Sequence, residues 1–414
     1  MDAVAHRCRP NELALNGWPY PETYPSTGAV MPIQPFTLAI PDAALADLAH
    51  RLANARWADA SVPDTWADGT NPTYLATLIE HWRHGFDWRA QERRLNRLPQ
   101  FFTEVDGQGI HFVHQRGSGP APMPLVLTHG WPGSFIEMEG LLPLLADPAA
   151  HGGDAADAFD VVVPSLPGYG CSPAPREAGT SARRIAALWR GLMAQLGYER
   201  FAAQGGDIGA GVSMWLAREH AAHVHGIHLN YVPGSYRPPL GEGQAPVSAD
   251  EQAYLERSAT FAANEGAYAA LHGTKPQTLA FALADSPLGL AAWMVEKFHA
   301  WSDHDGDLEQ VLALDTVLTD IALYWFSGTV QASLRLYKEN RQQPLAFSRG
   351  ERVSVPLGVA LFPIELPMPP RSWLGRVFDV QRWQPMAKGG HFAALEQPQA
   401  LAEEIRAFFR PLRA

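Results

Sequence analysis

The run Gly205-Gly206-Asp207-Ile208-Gly209 sets a single carboxylate among small neighbours, after an apolar stretch at 201–204 and before a helix-like stretch at 212–218. Where a strand turns sharply into a helix, small neighbours are needed because larger side chains would collide with adjacent backbone. A carboxylate held at the tip of such a turn can attack a polarised carbon and form an ester, a different first step from the acyl transfer that a serine performs. A glycine-rich turn with a helix-capping Asp would look the same, so the motif is weighed with its partners.

A second loop, His129-Gly130-Trp131-Pro132-Gly133, directly follows the apolar stretch 125–128. In a strand-turn-helix site of this kind, one N–H from that loop and the N–H after the nucleophile can hold an oxyanion, which assigns the role to Trp131 and Ile208. His129 is read as a loop organiser, because a better base follows. His391 stands in Gly389-Gly390-His391-Phe392, just before the final helix-like stretch 399–409. The acid that orients it belongs at the end of the preceding strand, 359–362, and Glu365 is the only carboxylate between that strand and Asp379. Singly, Glu365 could be a surface glutamate and His391 a satisfied loop histidine. Together they give nucleophile, acid and histidine in order, each at the carboxyl end of an expected strand.

The elements that must position these residues can be read from hydrophobic period. Between Phe36 and Trp88, Ala44, Leu45, Leu48 and Leu52, then Tyr74, Leu75, Leu78 and Trp82, recur at helix spacing. Alternating stretches at 101–105 and 110–113 flank Asp106-Gly107, a hairpin signal. Short apolar runs at 125–128, 161–163, 201–204 and 227–232 then alternate with helix-like stretches at 135–145 and 182–196. That alternation predicts a mostly parallel sheet with helices on both faces. From Pro233 to Asn340 the pattern is helical with no convincing strand, and the proline-rich segment 363–370 reads as a loop. The expected fold class is therefore α/β, with a helical cap insertion and an N-terminal helical meander. Its expected parts are an extension (1–30), an N-terminal region (31–115), the first half of the core (116–232), the cap (233–345) and the second half of the core (346–414).

Composition limits the partners. Among 414 residues, 43 acidic and 32 basic side chains leave a net charge of −11, which repels phosphate backbones and makes nucleic acid an unsuitable partner. Two cysteines, Cys8 and Cys171, make no disulfide framework and fit the cytoplasm. No apolar run is long enough for a membrane span. Met31 opens the first structured stretch and is an alternative start to Met1. His223, His225 and His228 cluster, but alternation along a strand explains them without a metal. Asp303, Asp305 and Asp307 mimic a calcium loop with Gly306 too early and Leu314 where the closing Glu belongs, and read as a polar cap loop. Neither metal nor cofactor is called for, and self-association into a homo-oligomer is compatible with the sequence.

From about Pro35 onward the chain resembles the microsomal-type epoxide hydrolases of the α/β-hydrolase superfamily. The likeness rests on Asp87-Trp88-Arg89, Gly109-Ile110-His111-Phe112, His129-Gly130-Trp131-Pro132-Gly133-Ser134, Pro167-Gly168-Tyr169-Gly170, Asp285-Ser286-Pro287-Leu288-Gly289-Leu290 and Gly389-Gly390-His391-Phe392-Ala393-Ala394. The resemblance implies hydrolysis of an epoxide to a vicinal diol through an ester on Asp207, cleaved by water that His391 and Glu365 activate. It also implies that two cap tyrosines bind the epoxide oxygen. The matching positions are Tyr268, six residues before Thr274-Lys275-Pro276, and Tyr337 in Tyr337-Lys338-Glu339-Asn340. Phenols suit that task, since ring opening develops an alkoxide that needs a donor. Ile208 departs from the Trp that members often carry after the nucleophile, and no membrane anchor like that of mammalian members is recognisable. Haloalkane or haloacid dehalogenases share the Asp and His and form the enzymatic alternative; a non-catalytic ligand-binding protein on the same fold is the other. The sequence leaves the substrate open among detoxified, hormone-like and biosynthetic epoxides.

Overall fold

The computed structural model describes residues 31–59 and 64–413. The extension 1–30, Cys8 and the question of the Met1 start lie outside the described residues. Nine strands form one sheet: β1 (Gln34–Pro35), β2 (Gln100–Val105), β3 (Gln108–Gln115), β4 (Met123–Thr128), β5 (Phe159–Pro164), β6 (Phe201–Gly205), β7 (Val224–Leu229), β8 (Val353–Leu361) and β9 (Phe378–Pro385), in the order β1-β2-β3-β5-β4-β6-β7-β8-β9. β1, β2, β3 and β5 pair antiparallel in succession, and every pair from β5 to β9 is parallel. The hairpin turns at Asp106 and Gly107, with φ of 50° and 78°, the paired left-handed conformation of a tight type I′ turn.

The parallel strands are buried on both faces, which is why β5 (Phe-Asp-Val-Val-Val-Pro) is covered along its whole length. The chain leaves β4 for β5 on one side and reaches β6 on the other, so a crevice opens at the carboxyl ends of these strands, the usual ligand site of an open parallel sheet.

The structure differs from the sequence reading at several edges. The stretch 135–145 is not one helix: a 3-10 turn, Phe135–Met138, capped by the Ser134 hydroxyl, is separated by Gly140 from the helix Leu141–Ala146. β7 ends at Leu229 rather than at Val232, because Asn230 and Tyr231 turn into the site ahead of Pro233. The helix after β6 begins at Asp207 itself, spanning Asp207–Glu219, so the glycine-flanked turn feeds it without a linker. β9 is an additional strand. Its half-exposed edge position carries Gln381, Arg382 and Gln384, and such a mixed pattern gives little hydrophobic signal.

Six helices, Ala249–Asn264, Ala267–Thr274, Pro276–Asp285, Pro287–Trp301, Leu314–Ser327 and Val330–Gln342, lie over the carboxyl ends of the sheet. Ser248 and Glu251 form a reciprocal capping box at the first of them. The same Glu251 carboxylate accepts from Arg376, at 2.9 and 2.6 Å, fastening that helix to the core between β8 and β9. On the opposite flank the N-terminal helices Asp42–Ala53, Pro72–His84 and Trp88–Leu95 hold the cap from outside. Arg51 donates to the Asp285 carbonyl (2.9 Å) and the Thr70 hydroxyl to the Ala292 carbonyl (2.6 Å), each across more than 200 residues of chain. Among the described residues no single helix is long and apolar enough to cross a membrane.

Candidate active site

The turn after β6 is built by exclusion of side chains. Asp207 sits at φ 44°, a left-handed conformation rare for a residue with a Cβ. A Cβ on Gly205 would stand 2.3 Å from the Gly209 carbonyl, one on Gly209 2.0 Å from the Thr128 carbonyl, and one on Gly130 2.3 Å from the Asp207 side chain. Backbone atoms cannot retreat as the end of a flexible side chain can. We therefore expect Gly209→Ala to lower stability by about 1–3 kcal/mol, the range for an overpacked site, read as a drop in the urea midpoint at unchanged m. An unchanged midpoint would show that the β4 turn yields freely.

The strands deliver each of the expected residues to one place. The Trp131 N–H, from the loop after β4, donates to Asp207 Oδ1 at 2.9 Å. His391 Nε2 faces Asp207 Oδ2 at 3.6 Å, and His391 Nδ1 donates to Glu365 Oε1 at 2.5 Å. Glu365 Oε1 also accepts from the Leu366 N–H (2.7 Å), which fixes the carboxylate beside its strand end. Ile208 follows Asp207 as the first turn of its helix and lines the cavity beyond it. Burial opposes protonation of His391, yet the charges of Glu365 and Asp207 outweigh it and hold its pKa well above the ordinary value.

Tyr268 and Tyr337 descend from the cap onto the same point. Tyr268 stacks on the Trp131 indole (centroids 5.5 Å, 13°), and Tyr337 meets it edge-on at 6.0 Å. The two phenol rings lie 5.9 Å apart. Burial first, then the Asp207 charge, raises the pKa of Tyr268, while burial and then Tyr268 raise that of Tyr337, so both remain protonated donors at neutral pH. Among the described residues, no partner meets the buried Tyr337 hydroxyl in hydrogen-bond geometry. Both rings wall a cavity of about 900 Å³ lined by Asp207, Ile208, Trp215, Tyr231, Phe261 and Leu366 among others.

His129 behaves as a loop organiser: it accepts the Leu166 N–H on Nε2 (3.1 Å), donates from Nδ1 to the Gly130 carbonyl (3.1 Å), and burial pushes its pKa down to about 4. The histidines of the 223–228 segment do not converge. His223 donates to the Glu199 carbonyl at 2.8 Å and His228 is buried against Phe408. No group of three or more His, Cys, Asp or Glu among the described residues could hold a metal ion.

Several supporting residues escape a sequence reading. Glu396 accepts the N–H groups of Asp303 (2.7 Å), Gly390 (2.9 Å) and Phe392 (3.0 Å), and the His391 N–H donates to the Trp301 carbonyl at 2.8 Å. Asp303, read as part of a polar cap loop, also accepts the Gly389 N–H at 2.8 Å. The histidine loop is thus strapped between cap and core. Tyr231 and Trp301 pack edge-on against the His391 ring at 5.5 and 5.1 Å. None of these contacts has a local motif that could have announced it.

Known proteins resemble the chain over nearly its whole length. A model described as "Epoxide hydrolase N terminus" matches residues 33–138, and one described as "alpha/beta hydrolase fold" matches residues 123–272. Epoxide hydrolase 1 of Sus scrofa is 37% identical over 420 residues, covering 96% of this chain and 92% of the relative. The solved structure of the Aspergillus niger epoxide hydrolase superposes with a TM-score of 0.79 at 34% identity, covering 92% of this chain and 96% of that one. The juvenile hormone epoxide hydrolase of the silkworm Bombyx mori superposes at 0.81 with 28% identity, covering 92% of this chain and 95% of that one. With its fold, its cap and its relatives in agreement over nearly the whole length, the chain belongs to the epoxide hydrolase family and is a hydrolase built on the α/β-hydrolase fold.

Proposed function

We propose that this enzyme opens its epoxide by direct attack of an Asp207 oxygen on a ring carbon, with Tyr268 and Tyr337 holding the epoxide oxygen, and then hydrolyses the resulting hydroxyalkyl ester. The observation that carries the reading is the opposition of groups across one cavity: a carboxylate at its floor, two protonated phenols above, and a histidine bonded to a second carboxylate behind. In the first step the C–O bond of the ring breaks, Asp207 gains an ester, and a phenol gives its proton to the alkoxide. In the second, His391 takes one proton of water while the water oxygen adds to the ester carbonyl. The Trp131 and Ile208 N–H groups stabilise the oxyanion, the diol leaves, and the proton on His391 returns through solvent to the phenolate. Glu365 holds His391 in the tautomer that leaves Nε2 free to accept. No metal or cofactor enters these steps.

The division of labour follows the chain: the core halves (116–232 and 346–414) carry nucleophile, acid and base, the cap (233–345) carries the phenols, and the N-terminal region (31–115) clasps the cap. A mostly apolar cavity of about 900 Å³ suits a sizeable apolar epoxide, with Ile208 and Trp215 shaping the space next to Asp207. A cytoplasmic setting belongs to the same proposal, supported by a composition with two cysteines.

Single turnover in ¹⁸O-water tests the covalent step. With enzyme in excess, the first diol should carry no ¹⁸O, because its new oxygen comes from Asp207, and the peptide holding Asp207 should gain the label. A labelled first diol with an unlabelled peptide would mean that water attacks the epoxide directly and the proposal is wrong.

A further inference from the structure

The cavity of about 900 Å³ is charged unevenly. Among the described residues that line it, Asp207 at the floor is the one carboxylate, whereas Arg237 and Arg341 both line it from exposed positions. Most of the remaining wall is apolar, with Ile208, Leu255, Phe261 and Leu366 in it. The neighbouring arginines are neutralised within the protein: Arg218 pairs with Glu351 at 2.7 Å, Arg335 with Glu339 at 2.9 Å and Arg376 with Glu251 at 2.6 Å. Among the described residues no carboxylate pairs with Arg237 or Arg341.

Both arginines sit on fixed backbone. The Arg237 N–H donates to the Leu345 carbonyl (3.0 Å) and the Phe347 N–H to the Arg237 carbonyl (3.0 Å), which ties the segment after β7 to the one that leaves the last cap helix. Nη1 of Arg237 donates to the carbonyls of Gly234 and Tyr236, so the guanidinium is aimed while Nε and Nη2 keep their donors for another partner. Arg341 lies in the helix Val330–Gln342 four residues after Tyr337. That spacing puts it on the same face, one turn and about 6 Å farther along the axis. The turn is fastened to the core, since Glu339 accepts the Gly179 N–H (3.1 Å) and Asn340 the Ala182 N–H (2.7 Å). One helix face thus carries a phenol at the reacting end of the cavity and a cation toward its mouth.

We infer that Arg237 and Arg341 form an anion subsite at the mouth, and that the epoxides this enzyme takes best carry a carboxylate at the far end of an apolar body. The inference rests on the proposed opening of an epoxide by Asp207, Tyr268 and Tyr337, and names the substrate class of that site. A guanidinium presents a planar fork of N–H donors that matches a carboxylate. A chain with a net charge of −11 repels an anionic substrate overall, and two unpaired cations reverse that sign where the substrate enters. The carboxylate stays remote from the reacting carbon and keeps its contacts through ring opening, so the gain belongs in KM and not in kcat.

The test compares the terminal epoxide of undecenoic acid with its methyl ester on the full-length enzyme, at a pH where the acid is ionised. Wild type should prefer the acid by about tenfold in kcat/KM, through a lower KM, because each charge-assisted contact at an exposed rim is worth only a few-fold. The readout is a ratio of two substrates on one protein, so poor folding lowers both rates alike and leaves the ratio intact. Arg237→Met combined with Arg341→Met keeps the apolar stems and should bring the ratio close to one. Arg341→Lys, a charge without the fork, should retain part of the preference, and Arg341→Glu should turn it toward the ester. A wild-type ratio near one, or a preference that the double Met variant keeps, overturns the subsite. Styrene oxide, which has no tail, is run alongside. If wild type hydrolyses styrene oxide without preferring the acid, the subsite fails and the epoxide reading stands; if it hydrolyses none of the three probes, the epoxide reading fails and the subsite with it.

Discussion

His391→Gln should stop turnover at the ester, leaving protein heavier by one substrate molecule with the added mass on the peptide that holds Asp207. Removal of a positioned general base costs about 10²–10⁴-fold in the step it serves, and here that step is hydrolysis alone. Attack by Asp207 needs no proton removed from the nucleophile, so the ester should still form. The electrostatics sharpen the expectation. In the free enzyme Glu365 and Asp207 raise the His391 pKa well above the ordinary value despite burial, which favours imidazolium at neutral pH. Once Asp207 becomes an ester its charge is gone, one of the two anions that sustained the imidazolium disappears, and His391 falls back toward the neutral base that hydrolysis requires. On the proposed mechanism, the base would thus become competent when its substrate, the ester, appears. In wild type, the acid limb of the hydrolysis rate should accordingly lie at a lower pH than the protonation of His391 followed by NMR in the unreacted enzyme. Coincident midpoints would mean that the Asp207 charge does not govern His391.

Tyr268→Phe combined with Tyr337→Phe should abolish epoxide turnover almost entirely while leaving the fold intact. Each hydroxyl is one hydrogen-bond donor to the developing alkoxide, and loss of one such donor from a dry site costs about 10²–10³-fold. Each single variant should retain measurable activity through the remaining phenol. The rings of Trp131, Tyr268 and Tyr337 pack against one another, and Phe preserves that packing, so the melting temperature should scarcely move. Ester formation is the step to measure, since the diol-releasing step does not call on the phenols. The same variant distinguishes this chemistry from carbon–halogen cleavage on the same Asp and His: a halide leaving group does not depend on a phenol pair, so a dehalogenase would tolerate the double substitution. Turnover of an epoxide at more than about one tenth of the wild-type rate by the double variant would remove both tyrosines from the mechanism.

How far these residues were legible varies with how local their signal is. The Asp207 turn is written in five consecutive residues because its geometry excludes side chains from both flanks, and the 2.0 Å clash at Gly209 shows why. The hairpin at Asp106-Gly107 is legible for a related reason, since few residues accept its two positive φ values. Glu365 and His391 follow from order along the chain, as consecutive parallel strands end on the same side of the sheet. The edge strand β9 is weakly written, being only half-buried, and the break at Gly140 interrupts a stretch whose apolar residues alone suggest one helix.

The sequence by itself determined the fold class, the turn at Asp207, and the order in which Glu365 and His391 follow it, because each is imposed by backbone sterics or by the polarity of the sheet. Tertiary structure alone decided what surrounds Asp207. Residues as distant as Glu137 and Asn230 stand on one side of it, and Tyr268 and Tyr337 on the other. The straps from Glu396 and Asp303 that hold the histidine loop are likewise contacts between segments that come together only on folding. A carboxylate that accepts backbone N–H groups from another element carries no periodicity and no fixed spacing.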